Sequence, residues 1–276
     1  ASKYAIPNEY DKLMAAIGAN GTNAYTSFDV TCYTEDIPSN QVENWAKIQA
    51  DRFKNSIIRG FHTELETVYE EKNMSLTQDP RKVNETMFAA LFPHHPYGTQ
   101  TVLGTQDDLK NPSITNIKNY YKTWYVPNNM AICLSGDFNP DEMIVTIDKY
   151  FGDMKPNPNL PKLAVEPEAP ITTPIVREVL GPDAESVTLA WRFPGASSKD
   201  FEILQVVMNN GKAGLIDIDL NQQQKVLGAY AYVYNLSDYC AFIMQGRTKE
   251  GQTLDEVKDL FLGEIAKLKS GDFDEN

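Results

Sequence analysis

The sequence predicts an α+β chain, with an antiparallel or mixed sheet carrying helices on one face and a partial second domain of similar architecture behind it. Amphipathic stretches with start and stop residues alternate with short runs rich in Thr, Tyr, Val and Phe in both halves. A proline-dense stretch parts the halves, and 276 residues suffice for two domains of ordinary size. The expected division is 1–155, incomplete at its start, a linker over 156–174, and a truncated second domain over 175–276.

The first helical signal is NEYDKLMAAIG (8–18), closed by Gly18. GTNAYTSFDVTCYTED (21–36) reads as a strand. Asn40 with Glu43 resembles a capping box ahead of a helix over 41–53. A second helix is expected over 62–74, and Asp79-Pro80 reads as cap and first turn of a third over 80–92. Pro112 opens a helix over 113–125, NMAICLSGD (129–137) reads as a buried strand, and Pro140 starts a helix through Gly152. Six prolines between Pro156 and Pro174 remove backbone donors and favour extended chain, hence the linker. Beyond it come strand 185–193, helix 198–210, strands 228–235 and 239–247, and helix 254–269. GDFDEN (271–276) follows with no closing strand.

Composition excludes several function classes. The formal net charge is −13, and no cluster of Lys and Arg stands out to recruit nucleic acid. Charge of this sign speaks first to solubility and is compatible with cationic or unfolded polypeptide substrates. No run of about 18 apolar residues predicts a membrane span. The opening ASKYAIPNEY has neither the basic region nor the apolar core of a signal peptide. Cys32, Cys133 and Cys240 have no metal spacing; Cys32 and Cys133 sit in apolar runs, where a thiol is ordinarily a small buried hydrophobe.

Segment 62–74 holds Glu64, Glu66, Glu70 and Glu71. Residues seven apart on a helix return to within about 20° of one another, so Glu64 and Glu71 share a side. They flank the stripe of Leu65, Val68 and Tyr69 that should face a core, while Glu66 and Glu70 point away. Carboxylates at the border of an apolar face call for a cation, a donor or water. Metal ligation, an ion-pair network and simple solvation all fit that pattern.

The order of motifs adds a resemblance. NAYTSFDVTCY, QADRF, ELETVYEEKN, HPYGTQTVLG, WYVPNNMAICLSGDF and DKYFGDM, in that succession, resemble the amino-terminal domain of the insulinase/pitrilysin peptidases, a group that includes mitochondrial processing peptidase. Residues 8–155 carry most of the likeness, and 175–276 resemble the start of the following domain. The resemblance implies a processing-peptidase-like fold and an inverted zincin. There a His-x-x-Glu-His helix gives two ligands and the general-base Glu, and a glutamate on a later helix gives the third ligand. By resemblance Glu71 is that ligand, Glu64 is the acid supporting it, and both project into a cleft. Asn23 and Ala24 belong to the edge strand that holds an extended substrate by backbone hydrogen bonds.

His62, His94 and His95 form no His-x-x-Glu-His, so that motif is expected upstream of Ala1. Zinc at a catalytic site takes three protein ligands and an open position. This chain alone is therefore expected to hold no catalytic zinc and to cleave nothing, with zinc in the intact protein. His94 and His95 read as structural. The expected partners are a peptide or unfolded polypeptide and a second half or partner subunit closing the chamber, in the periplasm or cytoplasm of a bacterium. The alternative is a non-catalytic scaffold or partner subunit of the same family.

Overall fold

A computed structural model describes residues 2–195 and 199–273. In chain order the elements are α1 (Glu9–Ala16), β1 (Thr22–Thr26), β2 (Thr31–Glu35), α2 (Val42–Lys54), α3 (Phe61–Ser75) and α4 (Asp79–Leu91). Then follow α5 (Pro96–Thr99), α6 (Gln106–Lys110), α7 (Ile114–Trp124), α8 (Pro140–Phe151) and β3 (Ser186–Pro194). The last are α9 (Lys199–Met208), a π-helical turn (Asp217–Gln222), β4 (Gly228–Asn235), β5 (Tyr239–Arg247) and α10 (Leu254–Ser270). Ser198, the expected first residue of the α9 helix, and Asp274–Asn276 lie outside the described residues.

Packing divides the chain into two compact units, one of residues 1–75 with 102–165 and one of 76–101 with 166–276. These units cut across the linear division read from the sequence, because α4 and α5 pack with the later segment.

In the first unit, α2 packs on α1 and α8 around buried Met14, Trp45 and Ala46, with Tyr10, Ile17, Ile48, Ile147 and Phe151 around them. The run read as one strand over 21–36 is a hairpin, because Ser27–Val30 form its loop and β1 pairs antiparallel with β2. The strand expected over 129–137 is not formed among the described residues. Pro127–Asn129 make a 3-10 turn and no ladder partner follows. Without a neighbouring strand the alternating apolar residues lose their reason to be covered: Ile132 is 42% exposed and Cys133, expected buried, is exposed, while Leu134 reaches the core. The Asn40–Glu43 capping box is also absent. A 3-10 turn over Ser39–Gln41 makes Gln41 the N-cap, and Glu43 instead accepts from Lys149 Nζ at 2.5 Å and Tyr150 Oη at 2.9 Å.

In the second unit the sheet order is β3-β5-β4, all antiparallel, with α9 against β4 and α10 against β3 and β5. Its core gathers Met208, Leu215, Ile216, Leu220, Val226, Phe242, Met244, Val257 and Phe261. A Cβ at Gly246 would lie 2.7 Å from the Phe261 ring and 2.9 Å from Val257, so glycine lets α10 approach β5 closely. Asp79 is the first residue of α4 rather than its cap; its carboxylate accepts from Lys82 Nζ and the Asp183 amide, both at 2.9 Å.

Candidate peptide-binding edge and acidic helix face

The hairpin of the first unit carries Asn23 and Ala24. Asn23 pairs with Thr34 and Ala24 with Tyr33. At the loop the Ser27 amide donates to the Val30 carbonyl at 2.8 Å, so 27 and 30 form a hydrogen-bonded pair. Antiparallel pairs alternate between bonded and non-bonded, which makes 25↔32 and 23↔34 bonded pairs and 24↔33 and 26↔31 non-bonded ones. The Thr26 and Thr31 hydroxyls, 3.3 Å apart, agree with the closer side chains of a non-bonded pair. The backbone groups of Thr22, Ala24 and Thr26 therefore point to the outer edge of β1, which no other strand of the described residues occupies. The Ala24 amide is engaged there by a side chain: it donates to Asn23 Oδ1 at 2.8 Å.

A polar cluster fixes the hairpin from behind. The Glu35 carboxylate accepts from Tyr10 Oη at 2.6 Å, Gln49 Nε2 at 2.7 Å and Trp45 Nε1 at 3.4 Å. The Arg52 guanidinium stands 3.9 Å from Glu35 and lies over the rings of Tyr10 at 4.5 Å and Tyr33 at 4.3 Å. Tyr33 Oη is 3.1 Å from Tyr125 Oη. Burial, then the hydrogen bond to Glu35, pushes the Tyr10 phenol up; burial, then the bond with Tyr125, does the same for Tyr33. Both phenols stay neutral, and Tyr10 donates to Glu35. The sequence showed QADRF only as part of a resemblance; a Glu at the end of β2 and an Arg late in α2 give no local spacing signal.

On α3, Leu65, Val68 and Tyr69 are half-buried while Glu64 and Glu71 are exposed. The stripe thus faces inward as expected, and the two acids lie along its border. Glu66 and Glu70 are exposed as well. Among the described residues neither Glu64 nor Glu71 makes a side-chain hydrogen bond or ion pair, so both carboxylates are left to water. No group of three His, Cys, Asp or Glu side chains able to hold a metal occurs among the described residues. This donor set does not make a zinc site, since a catalytic zinc takes three protein ligands.

Of the three histidines, His62 lies exposed on α3. The other two belong to a cluster in the second unit that the sequence concealed inside its proline-rich stretch. There Glu168, 1% exposed, accepts from the amides of His94 at 2.6 Å and His95 at 2.8 Å, meets His94 Nδ1 at 3.2 Å and lies 3.7 Å from Arg192. Arg192 also donates to the carbonyls of Leu91 and Ala169 and lies 5.7 Å from the ring centres of Phe92 and Tyr239. His95 is buried, caps α5 by accepting from the Tyr97 amide at 3.2 Å, and reaches Asp238 with Nε2 at 3.2 Å. Proline content at 156–174 signalled extended chain, and nothing local marked Glu168 as the residue that would be pulled inward.

Comparison with known proteins agrees with this architecture. The family model of the Peptidase M16 inactive domain matches residues 113–276. The chain is 23% identical over 285 residues to the zinc protease PqqE of Helicobacter pylori, covering 99% of this chain and 63% of that protein. It is 26% identical over 262 residues to a probable mitochondrial-processing peptidase subunit beta of Arabidopsis thaliana, 89% of this chain and 49% of that one. Among solved structures, a protease from Helicobacter pylori superposes with a TM-score of 0.88 at 20% identity, over 100% of this chain and 68% of that chain. Pitrilysin gives 0.68 at 18% identity, over 88% and 27%. The chain thus spans between about half and two thirds of these two curated relatives. No described helix is long and apolar enough to cross a membrane. With the family model matching more than half of its length, and with this order of helices and antiparallel sheets, the chain belongs to the M16 peptidase family.

Proposed function

We propose that this chain is part of a zinc-dependent endopeptidase or oligopeptidase that holds its substrate as a strand added to β1. The observation that carries the reading is the outer edge of β1, where Thr22, Ala24 and Thr26 direct backbone donors and acceptors away from β2. An extended peptide or unfolded polypeptide can pair there through its main chain, which gives affinity with little demand on sequence. The relatives named zinc proteases support the peptidase assignment.

In this reading Glu71 is a zinc ligand of the intact protein and Glu64 supports it. Two histidines and a general-base glutamate come from a His-x-x-Glu-His segment outside this sequence. The chain alone holds no catalytic zinc, and a second half or partner subunit closes the chamber. By covalent order it comprises a peptidase domain (1–155), a linker (156–174) and part of a second domain (175–276). A bacterial cytoplasm or periplasm is its place; the similar PqqL of Escherichia coli is a periplasmic protease.

The test uses the full-length protein. Glu64→Gln is expected to lower zinc affinity and peptide cleavage about 10- to 100-fold, the usual effect of removing a group that braces a ligand, and Glu71→Gln to lower both further. Unchanged zinc content and cleavage in Glu71→Gln would remove that residue from its role. A non-catalytic scaffold or partner subunit is the second reading, favoured by the match of 113–276 to a domain described as inactive. It requires that the intact protein bind no zinc and leave an unstructured peptide whole.

A further inference from the structure

The edge of β1 is already occupied, by its own side chain. By the register of the hairpin, the Ala24 amide is an outward donor, and it is the one an added strand would use at the middle of β1. Asn23 Oδ1 takes that donor at 2.8 Å. Unpaired edge donors invite association with any extended chain, and natural sheets blunt them with local devices. Asn is suited to such a device, since its short amide reaches neighbouring backbone and still leaves by rotation about two bonds.

We propose that Asn23 is a removable cap on the β1 edge, closing the Ala24 donor in the free protein and giving way when a peptide strand adds there. The proposal rests on the edge-binding reading above. Its occupant is an extended peptide whose carbonyl replaces Asn23 Oδ1 on the Ala24 amide, one acceptor exchanged for another. The displaced amide then carries both a donor and an acceptor beside the incoming chain. Asn23 thereby sets a threshold: a chain that cannot offer a carbonyl in register leaves the cap in place.

Two measurements on the full-length protein, kept free of zinc so that the peptide stays whole, separate the cap from the binding reading. Amide hydrogen exchange without peptide tests the cap alone. Asn23→Ala is expected to speed exchange of the Ala24 amide about 2- to 10-fold, the range of one hydrogen bond of ordinary net strength. The Tyr25 amide, which points into the hairpin, keeps its rate and reports that the hairpin is folded. Asn23→Asp retains the acceptor and restores protection. Fluorescence anisotropy of a labelled decapeptide of alternating Val and Lys then tests displacement: Asn23→Ala is expected to bind about 2- to 10-fold tighter than the natural protein and Asn23→Asp, with a charged cap, more weakly.

An unchanged Ala24 exchange rate in Asn23→Ala overturns the cap. Weaker binding by both variants overturns displacement and makes Asn23 a plain contact to the peptide. If neither the natural protein nor either variant binds, the edge reading falls and the gate with it, while the exchange result still decides whether Asn23 closes the edge.

Discussion

Glu168 is a carboxylate withdrawn from water and held by two backbone amides, the His94 ring and Arg192. Burial pushes its carboxyl up, but these donors outweigh burial and leave it below the ordinary range. An acid whose value falls on folding stabilises the fold fully above its unfolded value, about 4.3, and loses that stabilisation as pH drops through the lower folded value. Glu168→Ala removes the acceptor of the His94 and His95 amides, while Arg192 keeps its bonds to the Leu91 and Ala169 carbonyls, and is expected to destabilise the second unit by about 1–3 kcal/mol, measured by urea unfolding with Trp191 as the probe. Glu168→Gln should flatten the acid-side fall in stability. Glu264 is the opposite case. It is buried, one oxygen has no hydrogen bond, and burial raises its carboxyl while Lys267 pulls it down and Asp219 pushes it up again. Its raised folded value means that stability is full below the unfolded value and is lost as pH rises through the folded one. Glu264→Gln is therefore expected to stabilise by about 1 kcal/mol near neutral pH, with the gain vanishing in acid, as read from melting curves.

At the scale of elements, legibility followed whether the signal was local. Thr253 and Glu256 form a reciprocal cap on α10, and Asn139 ahead of Pro140 caps α8, so helices bounded by such residues fell where their sequences put them. Thr253→Ala is expected to cost about 1 kcal/mol in thermal unfolding. Gly246→Ala drives a methyl into Phe261 and Val257 and should cost about 1–3 kcal/mol, again by melting. Where the deciding partner was distant, the sequence misled. Glu43 matched a capping box, yet Lys149 and Tyr150 claimed it. Residues 129–137 carried a strand pattern, yet pairing is a property of two segments and no partner strand lies beside them among the described residues.

For the whole molecule, the contrast lies in how much apolar surface each unit encloses. The first buries Met14, Trp45, Ala46 and Ala50 among its described residues, the second a cluster built on Phe242, Met244, Val257 and Phe261 with the neighbours given above. Denaturation is expected in two steps, the first unit opening at lower urea. A variant with Trp45 and Trp124 replaced by Phe reports the second unit alone through Trp191; coincidence of its transition with that of the natural protein's helical signal would refute the two steps. The candidate site was legible in the same uneven way. Helical periodicity put Glu64 with Glu71 along the border of a stripe that does face inward, while the β-rich run was read as one strand and only the family resemblance pointed to Asn23 and Ala24 as an edge. Neither the Asn23–Ala24 bond nor the Glu35 cluster could be read, since the first depends on the register that turns the Ala24 amide outward and the second on side chains from other elements.

His95 illustrates what enclosure does to a residue type usually scanned for chemistry. Its Nδ1 accepts the Tyr97 amide proton, so the ring proton sits on Nε2 and is directed at Asp238. Both nitrogens are committed, the lone pair of one and the proton of the other spent on the chain itself, with the rings of Phe92 and Tyr97 tilted against the imidazole and that of Tyr239 edge-on to it. An imidazole so engaged offers nothing to a metal ion or to a substrate proton, and substituting Asn, which keeps an acceptor but loses the ring, would loosen the start of α5 while leaving any chemistry elsewhere untouched.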